Sequence, residues 1–338
     1  MSNIKRYRGL IIALFIGVLL FGLWLKHTPF GELKGYFAQL NPLLVASAAV
    51  VYLCAYFVRS LRWRLLQSPV QKLSVGESWS FSMAGNLLNY LIPIRAGELL
   101  KSWLIKQKYH LAMAESLPIV FIDKSFDTLA ILVVILVLPF LAVKLNNLLL
   151  VLLALLFMVF LLSFAIILLA ALYPEKANSF LSKLFFWLPQ RFQAKLESFI
   201  SLFVEGLSLI KKQPVLLYKA ALFTIIGVVL DGLYFYLVFR AFGILFPFLL
   251  IVLGYALINM SYAIPQPPAQ LGSNEWMMIV IFSLGFGLTQ NEASAIMAFA
   301  HLLTAILMLV FGALGIANAG KGALRRFLKG ESFDAKST

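Results

Sequence analysis

Residues 89–98 read NYLIPIRAGE, and residues 261–275 read SYAIPQPPAQLGSNE. Each is a Y-x-I-P followed by Gly and then Glu: Tyr90, Ile92, Pro93, Gly97 and Glu98 in the first, Tyr262, Ile264, Pro265, Gly272 and Glu275 in the second. Pro and Gly interrupt a helix, because Pro lacks an amide donor and Gly gives up the most backbone freedom. Both stretches sit inside apolar regions, 78–105 and 245–290, so each reads as an apolar segment broken in its middle. Pro93 and Pro265 stand 172 residues apart. The same offset carries the apolar run 42–58 onto 215–239, and the run 117–143 onto 292–318. Two copies of one unit are expected, about 42–143 and about 215–318.

Composition sets the solvent. Of 338 residues 62% are hydrophobic and 12% charged, and the mean hydropathy is +0.94. A soluble domain is nearer half apolar and a quarter charged. These values exclude a soluble enzyme, a disordered chain and a disulfide scaffold. Further runs at 9–25 and 147–172 are close to the ~20 residues that cross a hydrocarbon core. The expected architecture is an all-α polytopic membrane protein. It has six full spans and two re-entrant helical hairpins, arranged as an inverted-topology repeat in one domain over 1–320. The run 147–172 links the repeats, 174–214 is a cytoplasmic amphipathic segment, and 321–338 is a cytoplasmic tail. One cysteine (Cys54) and three scattered histidines (His27, His110, His301) predict neither a disulfide framework nor a metal site, and no cofactor is expected.

The net charge of +14 orients the chain. Twenty-one of the 28 Lys and Arg fall in 1–8, 59–72, 101–110, 174–214 and 319–338, and four (Lys26, Lys34, Lys144, Arg240) fall in the intervening loops. The positive-inside rule places the first set, with both termini, in the cytoplasm of a cell whose plasma (inner) membrane the protein spans. The first run then stays as an uncleaved anchor, and the basic excess faces anionic lipid rather than nucleic acid. The layout works only if each broken region enters and leaves on one side. The two copies then have opposite orientation, and matched Gly/Pro interruptions mark a site near the midplane. Trp63, Trp103 and Trp276 fit interfacial anchors, and Arg59, Arg62 and Arg64 fit charges that stop the span 42–58.

Charges inside the spans are costly. The run 117–143 carries Asp123, Lys124 and Asp127. Its apolar residues supply about −7 kcal/mol of insertion free energy, against about +9 for three unpaired charges at the centre. Lys124 and Asp127 are i,i+3 and can pair, while Asp123 and Asp127 share a face. They leave a negative surplus for a cation on a neighbouring element, for which Arg95 is the candidate. Asp231 and Glu275 are further intramembrane carboxylates. His301 reads either as a helix-packing hydrogen bond or as a proton relay.

Asn86 or Asn89, then Pro93, Arg95, Ala96, Gly97, Glu98 and Lys101, then D-K-x-x-D at Asp123, Lys124 and Asp127, then a Pro-rich G-x-x-E at Gly272 and Glu275, together resemble the lysylphosphatidylglycerol synthase transmembrane family. This is the flippase-like domain also found as the membrane half of multiple-peptide-resistance factors. The resemblance runs over about 5–320, and the element P-x-R-A-G-E is its most specific part. It implies a helical fold with re-entrant hairpins and movement of a lipid between leaflets. The soluble aminoacyl-transferring domain of bifunctional members has no counterpart in the sequence, so lipid synthesis is not expected.

The function expected is that of a lipid flippase or scramblase that passes an anionic or lipid-linked headgroup through a charged midplane cavity. Its partner is a membrane lipid, phospholipid or polyprenyl-linked. Arg59, Arg62 and Lys101 would draw in the headgroup and Arg95 would pair with it. Glu98, Asp123, Lys124, Asp127, Asp231 and Glu275 complete the candidate binding residues, and Pro93, Gly97, Pro265 and Gly272 are the hairpin hinges. An enzyme is not expected: 26–41 offers a single acid, Glu32, where a polyprenyl-sugar transferase needs several, and paired loop histidines are lacking. An ion-coupled small-solute transporter and an accessory subunit of a lipid-modifying enzyme are the alternatives.

Overall fold

The protein is described from a computed structural model. It covers residues 2–27, 35–92, 96–142, 214–262, 266–320 and 323–329, with a few single positions between 158 and 176. The span expected at 147–172 and the amphipathic segment 174–214 fall, those few positions apart, outside the described residues, as do the two tips with Pro93, Arg95 and Pro265. Among the described residues every regular element is helical.

Ten α-helices are numbered here in chain order: α1 Ser2–His27, α2 Pro42–Gln67, α3 Val75–Leu91, α4 Ala96–Tyr109, α5 Met113–Ala142, α6 Pro214–Ala241, α7 Phe248–Ser261, α8 Ser273–Met278, α9 Gln290–Asn318 and α10 Ala323–Lys329. A 3-10 turn, Pro268–Gln270, precedes α8, and a π-helical turn, Ile279–Gly285, follows it. Among the described residues three helices, α2, α6 and α9, are long and apolar enough to cross a membrane.

The starts of these helices are written locally. Asn41 Oδ1 accepts from the amides of Leu43 and Leu44, with Pro42 at the first helical position. Ser74 with Glu77, and Thr289 with Glu292, form reciprocal capping boxes. Such caps satisfy amide donors that the first turn leaves free.

The 172-residue offset carries α2 onto α6, α3 onto α7 and α5 onto α9 to within a few residues. Packing follows the same correspondence. α2 lies against α6, its own counterpart; α3 packs on α9, and the counterpart of α3, α7, packs on α5. The α2–α6 pair is antiparallel, because Tyr52 meets Tyr234 at one end and Arg62 meets Thr224 further along. Where the two helices cross, Arg59 bonds Asp231, 172 residues away. A two-fold axis perpendicular to both helices would bring equivalent positions together in this way.

Both broken regions fold back on themselves. In the first, α3 and α4 run antiparallel and touch backbone to backbone: a Cβ on Gly97 would run into the Gly85 carbonyl. Asn89 binds the turn, accepting from the Gly97 amide at 2.7 Å and donating to Glu98 Oε1 at 3.0 Å. At the open end Glu77 on α3 meets Lys108 and Tyr109 on α4. In the second, the fully buried Phe282 sits over Gly254 of α7, and Tyr262 donates to Asn274 at 2.9 Å. Gly272 has φ +78 and abuts the backbone of Leu20 and Phe21 in α1, a place where a side chain has neither room nor an allowed conformation.

Two sequence expectations are corrected. The span ending at 58 continues as helix to Gln67, so Arg59, Arg62 and Arg64 lie on a helix rather than past its end. Trp63 and Trp103 are 0% and 3% exposed, so they are core residues rather than interfacial anchors. The Lys101 ammonium lies 4.5 Å over the Trp63 ring, a cation–π contact that explains a buried indole there.

Two outcomes are expected. Gly97→Ala should cost about 1–3 kcal/mol through overpacking of the hairpin, read as a lowered melting temperature in detergent. Glu77 is pushed up by its partial burial, but Lys108, Ser74 and Tyr109 outweigh that and hold it at about 2, below its ordinary 4.5. A depressed acid stabilises the fold above its unfolded value and loses that contribution as pH falls through the folded one. The stability advantage of wild type over Glu77→Gln should therefore be constant above about pH 5 and shrink toward pH 2, measured by melting temperature against pH.

Candidate functional site

Inside the bundle, side chains from three helices, α2, α4 and α5, form a circuit of alternating charge. Asp127 meets Lys124 at 3.5 Å, Lys124 meets Glu98 at 3.4 Å, Glu98 meets Lys101 at 3.7 Å and Lys101 meets Asp123 at 3.6 Å. Asp123 meets Arg62 at 2.8 Å, and Arg62 returns to Asp127 at 2.8 Å. Arg59 is joined to this ring through Asp127 at 3.6 Å and clamps Asp231 with both guanidinium ends. Four cations face four carboxylates, so the cluster is neutral as a whole. Helix geometry prepares it, since Asp123, Lys124 and Asp127 occupy i, i+1 and i+4 of α5 and so look along adjacent lines of one face.

Burial divides the cluster. Arg62 and Asp123 are 1% and 4% exposed at their side chains, and Arg62 also donates to the Asp123 carbonyl and to Thr224. That pair is a sealed clamp between α2, α5 and α6. Lys124 is 35% exposed, and Arg59 and Asp127 are 23% exposed. These three line a cavity of about 180 Å³ with Tyr56, Asn86 and Tyr255, and Arg62, Lys101, Asp123 and Asp231 stand in its wall as well. A second cavity of about 570 Å³ shares Tyr56, Asn86, Lys124, Asp127, Tyr255 and Asn259 with it, so the two adjoin. The larger one reaches Glu98, Asn274 and His301. Polar backbone and charged groups at membrane depth persist only around such a cavity or within protein.

At its far end His301 of α9 joins three elements. Its Nδ1 lies 2.6 Å from Glu275 Oε1 of α8, and its Nε2 lies 2.7 Å from the Ala269 carbonyl and 3.1 Å from the Tyr90 hydroxyl of α3.

Of the residues expected from sequence, Arg59, Arg62, Glu98, Lys101, Asp123, Lys124, Asp127 and Asp231 come together in one cluster. Glu275 does not join it and pairs with His301 instead. The cations that answer the Asp123/Asp127 surplus are Arg62 and Arg59 of α2, and Arg95 lies outside the described residues. Gly97 stands at the close approach within the first hairpin and Gly272 at the contact of the second hairpin with α1, and Pro93 and Pro265 lie outside the described residues. Asn89, quoted in the motif, turns out to hold the first hairpin closed. Tyr52, Tyr56, Tyr234 and Tyr255 line the cavities without any signal in the sequence beyond their place in apolar runs. Among the described residues no cluster of His, Cys, Asp and Glu is fit to hold a metal ion.

Removing one partner of a sealed ion pair strands the other, which typically costs about 3–5 kcal/mol. Arg62→Ala is expected to lower the melting temperature sharply. Adding Asp123→Ala should recover part of the loss, because the double change removes the stranded charge. Thermal unfolding in detergent of both singles and the double measures this coupling.

The family profile described as "Lysylphosphatidylglycerol synthase TM region" matches residues 10–312. A UPF0104 membrane protein of Methanothermobacter thermautotrophicus is 23% identical over 96% of this chain and 99% of its own length. Another, from Methanocaldococcus jannaschii, is 24% identical over 67% of this chain and 92% of its own. The glycosyltransferase AglD of Haloferax volcanii is 25% identical over 38% of this chain, which is 21% of AglD. No solved structure matches. With the profile covering most of its length, this integral membrane protein belongs to the lysylphosphatidylglycerol synthase transmembrane family.

Proposed function

We propose that the chain is a lipid flippase or scramblase rather than an enzyme, and that the headgroup crosses the bilayer through the two adjoining cavities while the acyl chains stay in lipid. The observation that carries this reading is a pair of adjoining cavities, about 180 and 570 Å³, lined by ionised and phenolic side chains in a chain that is 62% hydrophobic. Their size suits a headgroup, since small-ligand sites run from about 300 to 1,000 Å³. Charged groups at membrane depth otherwise mark a substrate or ion path.

In this reading the two copies form an inverted repeat whose hairpins re-enter from opposite faces. Support comes from the antiparallel α2–α6 crossing at Arg59 and Asp231, and from the fold-back of both broken regions. Six full spans place both termini in the cytoplasm of a cell bounded by the plasma (inner) membrane. The neutral ring keeps the empty cavity from holding a net charge. A phosphate entering it exchanges one carboxylate partner of Lys124 or Arg59 for its own oxygens, and guanidinium geometry fits two of them at once. Arg62 and Asp123, almost closed off in the cavity wall, serve mainly to hold the helices. Arg95, at the first tip, meets the phosphate as it enters. Alternating exposure is a rocking of one repeat on the other about the α2–α6 contact. A lipid-linked sugar is the cargo that the likeness to a glycosyltransferase favours, and its phosphate would use the same groups.

The test is leaflet exchange of a fluorescent anionic phospholipid in proteoliposomes. Wild type should speed exchange far above protein-free vesicles. Lys124→Gln should slow it by about tenfold, the worth of one charge-assisted hydrogen bond, when compared at equal amounts of folded protein, and Arg95→Ala should abolish it. A wild type that leaves lipid in place but takes up solute would favour the ion-coupled transporter.

A further inference from the structure

The pair at the far end of the cavity has a hydrogen count that its geometry fixes. The Ala269 carbonyl only accepts, so His301 Nε2, 2.7 Å away, carries a hydrogen. Nδ1 and Glu275 Oε1 are 2.6 Å apart. Two lone pairs at that distance repel, so a second hydrogen lies between them, on nitrogen or on oxygen. Either way the pair holds one more proton than a neutral imidazole beside a carboxylate, and it is electrically neutral. Glu275 Oε2 points the same way: it is buried and has no hydrogen-bond partner among the described residues. Without the shared proton, Glu275 would be an ion with a bare oxygen in a site 2% exposed, a costly arrangement.

This proton sits where three elements meet. Ala269 and Gln270, at the tip of the second hairpin, have φ of 54° and 58°, a left-handed conformation that non-glycine residues hold only when neighbours impose it. His301 fastens that tip to α9, and the Tyr90 hydroxyl extends the contact to α3 of the first hairpin. The other groups facing the pair are phenols. Tyr262 bonds Asn274 beside Glu275, and Tyr234 donates to the Ala300 carbonyl beside His301. Across the shared cavity lie Tyr52, Tyr56, Glu98, Lys124 and Asp127. Among the described residues His301 is the sole basic group in an ion pair with Glu275.

We propose that His301 and Glu275 form a proton-binding site that couples lipid movement to proton flow, the bound proton latching the second hairpin to α9 and to Tyr90. Loss of the proton leaves a carboxylate against an imidazole lone pair, which drives the two apart and frees the tip; uptake from the other face closes it again. The coupling rests on the lipid-transport reading, whereas the proton site stands without it.

Two measurements test the proposal. In nanodiscs, ¹⁵N-histidine NMR should show His301 Nε2 protonated throughout and a titration step, within about pH 5–9, that shifts or vanishes in Glu275→Gln. An Nε2 without hydrogen, or a His301 signal indifferent to Glu275→Gln, overturns the site. In proteoliposomes, a pH gradient of one unit should skew the leaflet distribution of the lipid by up to about tenfold for one proton per lipid, and the skew should vanish in His301→Gln. Lipid that moves but distributes evenly under the gradient in wild type overturns the coupling and leaves lipid transport standing. A folded wild type that moves no lipid, yet gives the described titration, ends the lipid reading and upholds the proton site.

Discussion

Everything polar in this protein hangs on ionised side chains that have been taken out of water and must answer one another there. Moving a carboxylate or guanidinium from water into a low-dielectric interior costs several kcal/mol even after relaxation. A lone pair of opposite charges seldom recovers that cost. A closed ring does better, because each group has two partners and no charge is left facing hydrocarbon. Asp127, Lys124, Glu98, Lys101, Asp123 and Arg62 form such a ring, with the Arg59–Asp231 clamp attached. The ring also fixes the fold, since its members come from α2, α4 and α5 and its appendage reaches α6.

The placement of the ring follows from the pairing of the helices. Among the described residues the most extensive contact between the two halves is α2 on α6, and the Arg59–Asp231 bond spans the same 172 residues that separate Pro93 from Pro265. The halves share a backbone plan but not a chemistry. One end of the cavity holds the ring, and the other holds His301, Glu275 and a set of tyrosines. On the proposed lipid-transport reading, this asymmetric lining would offer a headgroup different partners at the two ends.

How far the sequence foretold this varies by residue. The 172-residue correspondence was legible because Pro and Gly act locally, and the structure carries α2, α3 and α5 onto their counterparts. The grouping of Asp123, Lys124 and Asp127 was legible because helical spacing alone sets it. Their partners were not. Arg59 and Arg62 follow an apolar run, where arginine ordinarily halts a span, and only the packing of α2 against α5 and α6 reveals that they turn inward. Trp63 and Trp103 misled for a like reason: tryptophan near a charged stretch resembles an interfacial belt, while here Lys101 lies over the buried Trp63 ring. The His301–Glu275 pair lies 26 residues apart across the π-helical turn, beyond the reach of any local rule.

The central claim is that a headgroup occupies the cavity beside the exposed members of the ring. A cryo-EM structure of the protein in nanodiscs of phospholipid tests it most directly. The account predicts phosphate density within hydrogen-bonding distance of Lys124 or Arg59, with the acyl chains leaving between helices. Lipid resolved only around the outer surface, with the cavity dry and closed, would contradict it.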